Sequence, residues 1–147
     1  MDDKDSTSEL AALMQRFLEC VSFEPGGAPT YAAICELFID SGLLVKNSGT
    51  VPEICSLRTF IEPRQAAFDA GDLTRFRETE LGSETVFFGD VAHRFSGYEK
   101  SGTLRGVSFE GRGLISTQFV RTSDGWRMSA MAWDDERTGL AVPERFR

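Results

Sequence analysis

Apolar residues at Leu10, Leu13, Met14, Phe17, Leu18 and Val21 recur at helical spacing, so the chain from Ser8 is expected to open with an amphipathic helix. Ser6, Thr7 or Ser8 can cap it, and Glu9 suits its positive end. Residues 1–7 are acidic and polar and read as a disordered leader. The run Glu24-Pro25-Gly26-Gly27-Ala28-Pro29 ends this first element. A second helix is expected from Thr30, carrying Ala33, Ile34, Leu37 and Phe38 and ending at Asp40-Ser41-Gly42. Leu43-Leu44-Val45 reads as a short strand, followed by the turn-like Asn47-Ser48-Gly49. A third helix is expected over 51–69, with Pro52 allowed in its first turn and Pro63 breaking or kinking it near Glu62.

Beyond Gly71 the pattern changes to that of strands. Thr74–Phe88 and Val91–Lys100 are joined by a Gly89-Asp90 turn, and Ser101–Phe109, with Gly102 and Gly106, reads as a loop. Glu110–Glu136 then reads as a hairpin about Ser123-Asp124-Gly125. Strand alternation puts Leu114, Ser116, Gln118 and Val120 on one face of its first arm and Ile115, Thr117 and Phe119 on the other. Neither face is plainly polar, so both are expected to be covered. Ser116, Gln118 and Ser129 among the apolar groups suggest the floor of a partly polar pocket.

Helices first and antiparallel strands afterwards indicate an α+β fold: a curved antiparallel sheet with N-terminal helices on its concave face, forming a cone. A single domain is expected over 8–136, with an irregular tail at 137–147 containing Pro143. The length of 147 residues suits one domain with its own core.

A net charge of −7 argues against nucleic acid as a partner, because phosphate binding depends on Lys and Arg. No run reaches the ~18 apolar residues of a membrane span, so no membrane association is expected. The start MDDKDSTSEL lacks the basic-then-apolar pattern of a signal peptide. The three cysteines, Cys20, Cys35 and Cys55, lack metal spacing and read as buried, reduced thiols of a cytoplasmic protein. Asp134-Asp135-Glu136 reads as a solvated acidic strand end, and no metal or other cofactor is expected.

The run Phe88-Gly89-Asp90-Val91-Ala92-His93-Arg94-Phe95-Ser96-Gly97-Tyr98-Glu99 resembles a "G-x-V-A-x-x-x-S-x-Y" strand of the nuclear-transport-factor-2-like superfamily. Gly125-Trp126-Arg127-Met128 through Trp133-Asp134-Asp135-Glu136 is similar to its closing "G-x-W-(K/R)-I" strand. The superfamily includes ketosteroid isomerases, scytalone dehydratase and SnoaL-type polyketide cyclases, and the resemblance implies their cone fold. The isomerase catalytic positions, a Tyr, a general-base Asp and a second acid, fall at Phe17, near Lys46 and at Gln118. Steroid isomerisation is therefore not expected. The paired histidines of the dehydratase set cannot be assembled from a single His.

Matching β-strand to family pattern turns His93 and Phe95 toward the cone interior. His93 is then the expected acid/base and Gln118 the donor that polarises a substrate carbonyl. Phe17, Phe95, Ser116, Ser129, Met131 and Trp133 are the expected ligand-binding residues. Arg94, Ser96, Tyr98, Ile115, Thr117, Phe119, Trp126 and Met128 are expected on the outer sheet face, where superfamily members commonly form homodimers. Two classes of function stay open. One is a lyase, isomerase or cyclase acting on an apolar aromatic or polycyclic compound. The other is a non-catalytic dimeric ligand carrier or protein-interaction module.

Overall fold

The turn at Ser123-Asp124 does what the sequence asks of it. In a computed structural model describing residues 3–47 and 49–147, the side chains of Asp3 and Lys4 excepted, Thr122 pairs with Gly125 across it. Gly125 takes φ +103°, and the Thr122 hydroxyl donates to the Gly125 carbonyl at 2.8 Å. The elements run α1 Asp3–Val21, a 3-10 helix Tyr31–Glu36, β1 Phe38–Lys46, β2 Glu53–Ser56 and α2 Leu57–Asp69. Four long strands follow: β3 Leu73–Phe88, β4 Val91–Leu104, β5 Val107–Thr122 and β6 Gly125–Asp135. They build one curved sheet of order β2-β1-β6-β5-β4-β3, antiparallel except where β1 meets β6. The fold is α+β, with the helices on the concave face.

Several boundaries differ from expectation. Asp3–Thr7, read as leader, are the first turns of α1, and Ser6 is buried where Arg121 Nη2 donates to its hydroxyl at 3.4 Å. Met1 and Asp2 of that leader, and Ser48 of the expected turn, lie outside the described residues. The expected second helix is only the 3-10 turn, because Phe38 already pairs with Met128. Asp40-Ser41-Gly42 forms a bulge inside β1 rather than a helix end.

The expected third helix is split. Glu53–Ser56 pair with Leu43–Lys46, and α2 starts at a capping box in which Ser56 and Thr59 satisfy each other's backbone N–H groups. Helix α2 continues through Pro63. Ser101–Phe109 is no loop: β4 and β5 run on to a two-residue turn, Arg105-Gly106, with φ +50° and +77°. Gly102 misled as a turn residue. It is needed because a Cβ there would come within 2.7 Å of the Arg75 carbonyl. Cys20 and Cys55 are buried as expected, but Cys35 is exposed, and all three are free thiols.

The tail is ordered in part. It holds a bridge between Arg137 and Leu140 and a 3-10 turn Glu144–Phe146, with Val142 and Phe146 buried. Phe146 lies across Gly97 and packs 6.0 Å from the Phe95 ring, so the tail covers part of the convex face. A methyl group at residue 97 would sit 1.8 Å from the Phe146 carbonyl oxygen. Gly97→Ala is therefore expected to expel the tail at a cost of about 1–3 kcal/mol. The check is a lower urea midpoint together with faster proteolysis near Arg145.

Candidate functional site

Strand β5 shows how the two faces divide. Ile115, Thr117 and Phe119 are buried, while Leu114, Ser116, Gln118 and Val120 between them keep accessible surface. Register carries this onto the neighbours. Ala92, Arg94, Ser96 and Tyr98 lie opposite Phe119, Thr117, Ile115 and Gly113 and are buried, as are Met128 and Met131 on β6. This is the concave face, covered by α1, α2 and the 3-10 helix.

The expected outer-face set of Arg94, Ser96, Tyr98, Ile115, Thr117, Phe119, Trp126 and Met128 is thus interior, a correction to the sequence reading. The cause is Arg94. A guanidinium normally points to water, but here its Nε and Nη2 donate to the two Glu80 carboxylate oxygens at 3.0 and 2.7 Å. Nη1 donates to the Thr85 hydroxyl at 2.8 Å.

His93 and Gln118 are corrected in the opposite sense. They face each other across β4 and β5 on the convex side, pointing away from the cone interior. His93 Nε2 and the Ser116 hydroxyl share a hydrogen bond of 2.9 Å, and the His93 ring contacts Phe95 at 4.5 Å. Partial burial lowers the His93 pKa, favouring the neutral ring. Phe95 and Ser116 border an open groove of about 400 Å³ beneath the tail. Ser129 sits in a β6 bulge and donates to the Gln118 backbone carbonyl at 3.3 Å.

The interior holds a different constellation. A cavity of about 380 Å³ lies between the sheet and α1, α2 and the 3-10 helix, and Phe17, Met131 and Trp133 are in its wall. Phe60 closes one side, its ring edge-on to Trp133 at 6.0 Å. Into this apolar chamber project Glu78 from β3, Lys100 from β4 and Arg64 from α2, with Tyr31 beside them and Lys46 and Glu53 also lining it.

Glu78 and Lys100 are direct cross-strand partners, yet the Lys100 ammonium donates to both Asp135 oxygens at 2.9 Å instead. The Tyr98 hydroxyl donates to the same Asp135 carboxylate, and burial with that neighbouring charge pushes the phenol far up. Glu78 has no ion-pair partner among the described residues. It is partly accessible and lines the cavity. Burial pushes its carboxyl up to about 7, with Asp135 adding to the rise and Lys100 and Arg64 opposing it.

Arg64 lies over the Phe60 ring, 3.7 Å from its centroid, and Nη1 donates to the Phe60 carbonyl at 3.0 Å. Burial lowers its pKa. The acidic strand end is spoken for residue by residue: Asp134 pairs with Arg137, Asp135 with Lys100, and Glu136 accepts from the Val142 N–H. Among the described residues no three His, Cys, Asp or Glu side chains converge as metal ligands. Among the described residues no helix is long and apolar enough to cross a membrane.

This architecture recurs in solved structures. A protein of the nuclear transport factor 2 (NTF2-like) superfamily from Salmonella enterica serovar Typhimurium superposes with a TM-score of 0.76 at 13% identity, covering 97% of this chain and 99% of that one. The chain has the nuclear-transport-factor-2-like fold. An NTF2-like protein from Cytophaga hutchinsonii gives a TM-score of 0.67 at 14% identity over 92% of this chain and 100% of that one. A Kribbella flavida protein gives 0.74 at 17% identity over 92% and 94%. No family model and no curated protein matches the sequence. At these identities the likeness speaks for the NTF2-like fold alone, and the chemistry has to be argued from the cavity.

Sequence reasoning missed Glu78, Arg64 and Lys100. The run Thr74-Arg75-Phe76-Arg77-Glu78-Thr79-Glu80 carries charge at both strand parities, so no position in it stands out. A signal did exist in the Gly89-Asp90 turn, which fixes the pairing of β3 with β4. However, an irregularity between Glu80 and Ser83 moves the register by one, bringing Glu78 opposite Lys100 instead of Ser101.

Proposed function

We propose that the cone cavity binds a small, largely apolar molecule and that Glu78 moves a proton on it, chemistry of the isomerase, lyase or cyclase kind. The supporting observation is a carboxyl without an ion-pair partner, held near pH 7, in the wall of an aromatic-lined cavity of about 380 Å³. Below pH 7 Glu78 is a proton donor, and above it a base, so neutrality gives access to both directions. Proton transfer of this type calls for no cofactor. The acid/base role expected of His93 passes to Glu78, since His93 lies on the far side of the sheet. The free thiols support a reducing, cytoplasmic setting.

A second reading, a non-catalytic dimeric carrier or protein-interaction module, is favoured by the convex face. Val86, Phe88, Val91 and Phe95 lie exposed there beside His93 and Gln118, with Phe88 at 85%. An uncovered apolar sheet face of this kind supports a homodimer through it.

Native mass spectrometry addresses both readings. The expected spectrum is a dimer carrying a small-molecule adduct. Ala67→Trp, which fills the cavity, should remove the adduct and leave the dimer. Phe88→Asp with Phe95→Asp should give monomers that keep the adduct. An adduct unaffected by Ala67→Trp counts against the cavity.

A further inference from the structure

We propose that the ligand of the cavity is a carboxylic acid on a flat apolar body, and that Arg64 is the residue that takes its carboxylate. This rests on the reading of the cavity as a small-molecule site and goes on to name the chemical class.

Two guanidinium groups, of Arg94 and Arg64, face the interior of the fold. Arg94 is saturated by Glu80 and Thr85. Arg64 is not: of its five N–H donors, one is on the Phe60 carbonyl, and no carboxylate lies within ion-pair distance among the described residues. A cation withdrawn from water without a counter-ion is costly, and a cavity-lining one is relieved by an anionic guest. Stacking on Phe60 holds the guanidinium plane fixed, leaving its edge free for the two parallel hydrogen bonds a carboxylate accepts.

The acids nearby do not fill that role. Glu78 stays protonated up to about pH 7, and Asp135 is taken by Lys100 and Tyr98. Glu53 on β2 is exposed, and although its charge favours the Arg64 cation it lies beyond ion-pair distance of it. With Lys100 engaged, Arg64 and Lys46 are the cavity-lining cations outside any ion pair among the described residues, and of the two only the planar fork of Arg64 matches a carboxylate edge-on. Phe17, Phe60, Met131 and Trp133 supply the walls for an aromatic or similarly flat body.

Binding should then respond to Glu78. Lys100 from β4, Asp135 from β6 and Arg64 from α2 act on its carboxyl, with Tyr98 bonded to Asp135. As pH rises through 7, Glu78 ionises and its negative charge repels a carboxylate ligand. Affinity for an acid should fall between pH 6 and pH 8, and affinity for a neutral analogue should not.

Isothermal titration calorimetry on the full chain with 2-naphthoate and 2-naphthamide, nearly isosteric and differing in charge, tests this. The wild type should bind the acid about 10-fold or more tighter than the amide at pH 6, the range of charged hydrogen bonds. Arg64→Gln should erase that preference by weakening the acid alone. Glu78→Gln should flatten the acid's pH dependence while keeping the preference. Equal affinity for both compounds, or an Arg64→Gln loss shared equally by both, overturns the proposal and leaves the cavity reading intact. Binding of neither compound to the wild type removes the cavity reading, and this inference with it. Should Arg64→Gln fail to fold, the wild-type acid-to-amide ratio and its pH profile decide alone.

Discussion

Glu80→Ala is expected to destabilise the protein by about 3–5 kcal/mol, the usual result of removing one partner from a buried ion pair. Arg94 is only 5% exposed, and two of its three nitrogens donate to Glu80. Without the carboxylate, the guanidinium keeps just the Thr85 hydroxyl, and the Ser96 hydroxyl loses its acceptor. The charge cannot reach water, because β4 is interior to the sheet and the helices cover this face. Replacing both partners by apolar residues of similar volume, Arg94→Met with Glu80→Leu, should recover most of the loss, since no uncompensated charge remains. Urea unfolding of the two single variants and the double variant gives the coupling energy directly. Asp134→Ala is the control: its partner Arg137 is 60% exposed, and the change should stay within about 1 kcal/mol. A Glu80→Ala protein as stable as that control would mean that water reaches Arg94.

The same pair explains where the sequence was readable and where it was not. Turn chemistry was legible, because Gly89-Asp90 and Ser123-Asp124-Gly125 have few backbone options, and each turn fixes two long strands. The parity of β4 and β5 was legible too, whereas in β6 the bulge at Ser129 breaks it. Which parity faces inward was not legible. A strand with Arg94, Ser96 and Tyr98 on one side and His93, Phe95 and Glu99 on the other carries polar groups on both. Only the Glu80 partner, 14 residues away, makes the arginine side the buried one. Inverting that choice moved His93, Gln118, Phe95 and Ser116 out of the cone together, while Ser129 is the bulged residue of β6.

Helix against strand failed for a related reason. Phe38–Gly42 and Glu53–Ser56 are short apolar stretches that periodicity cannot assign, and pairing with β6 and β1 decided them. Phe17, Met131 and Trp133 do line the cavity. Each owes its place to bulk rather than chemistry. The charged groups of the site are single residues on three separate elements, and only tertiary structure brings them together.

Glu78→Gln is expected to stabilise the protein by about 3–4 kcal/mol at pH 8 and to change little at pH 4. The folded carboxyl titrates at about 7 against an ordinary value of 4.5, and each pKa unit corresponds to about 1.4 kcal/mol. The direction follows from proton counts. Below pH 4.5 both folded and unfolded chains hold the proton, so an amide of the same shape gains nothing. Between 4.5 and 7 the unfolded chain releases it and the folded chain does not, so wild-type stability falls as pH rises. Above 7 both have released it and the deficit stays constant. Glutamine has no proton to lose and avoids the whole decline. Background titration of a chain with net charge −7 is common to both proteins and cancels in their difference, so urea midpoints of the pair at several pH values isolate the one group. Parallel curves from pH 4 to pH 8 would sink the assignment of Glu78 as a near-neutral acid. The predicted divergence would mean that residue 78 holds a carboxyl at a cost to stability, which is how groups kept for chemistry differ from groups kept for packing.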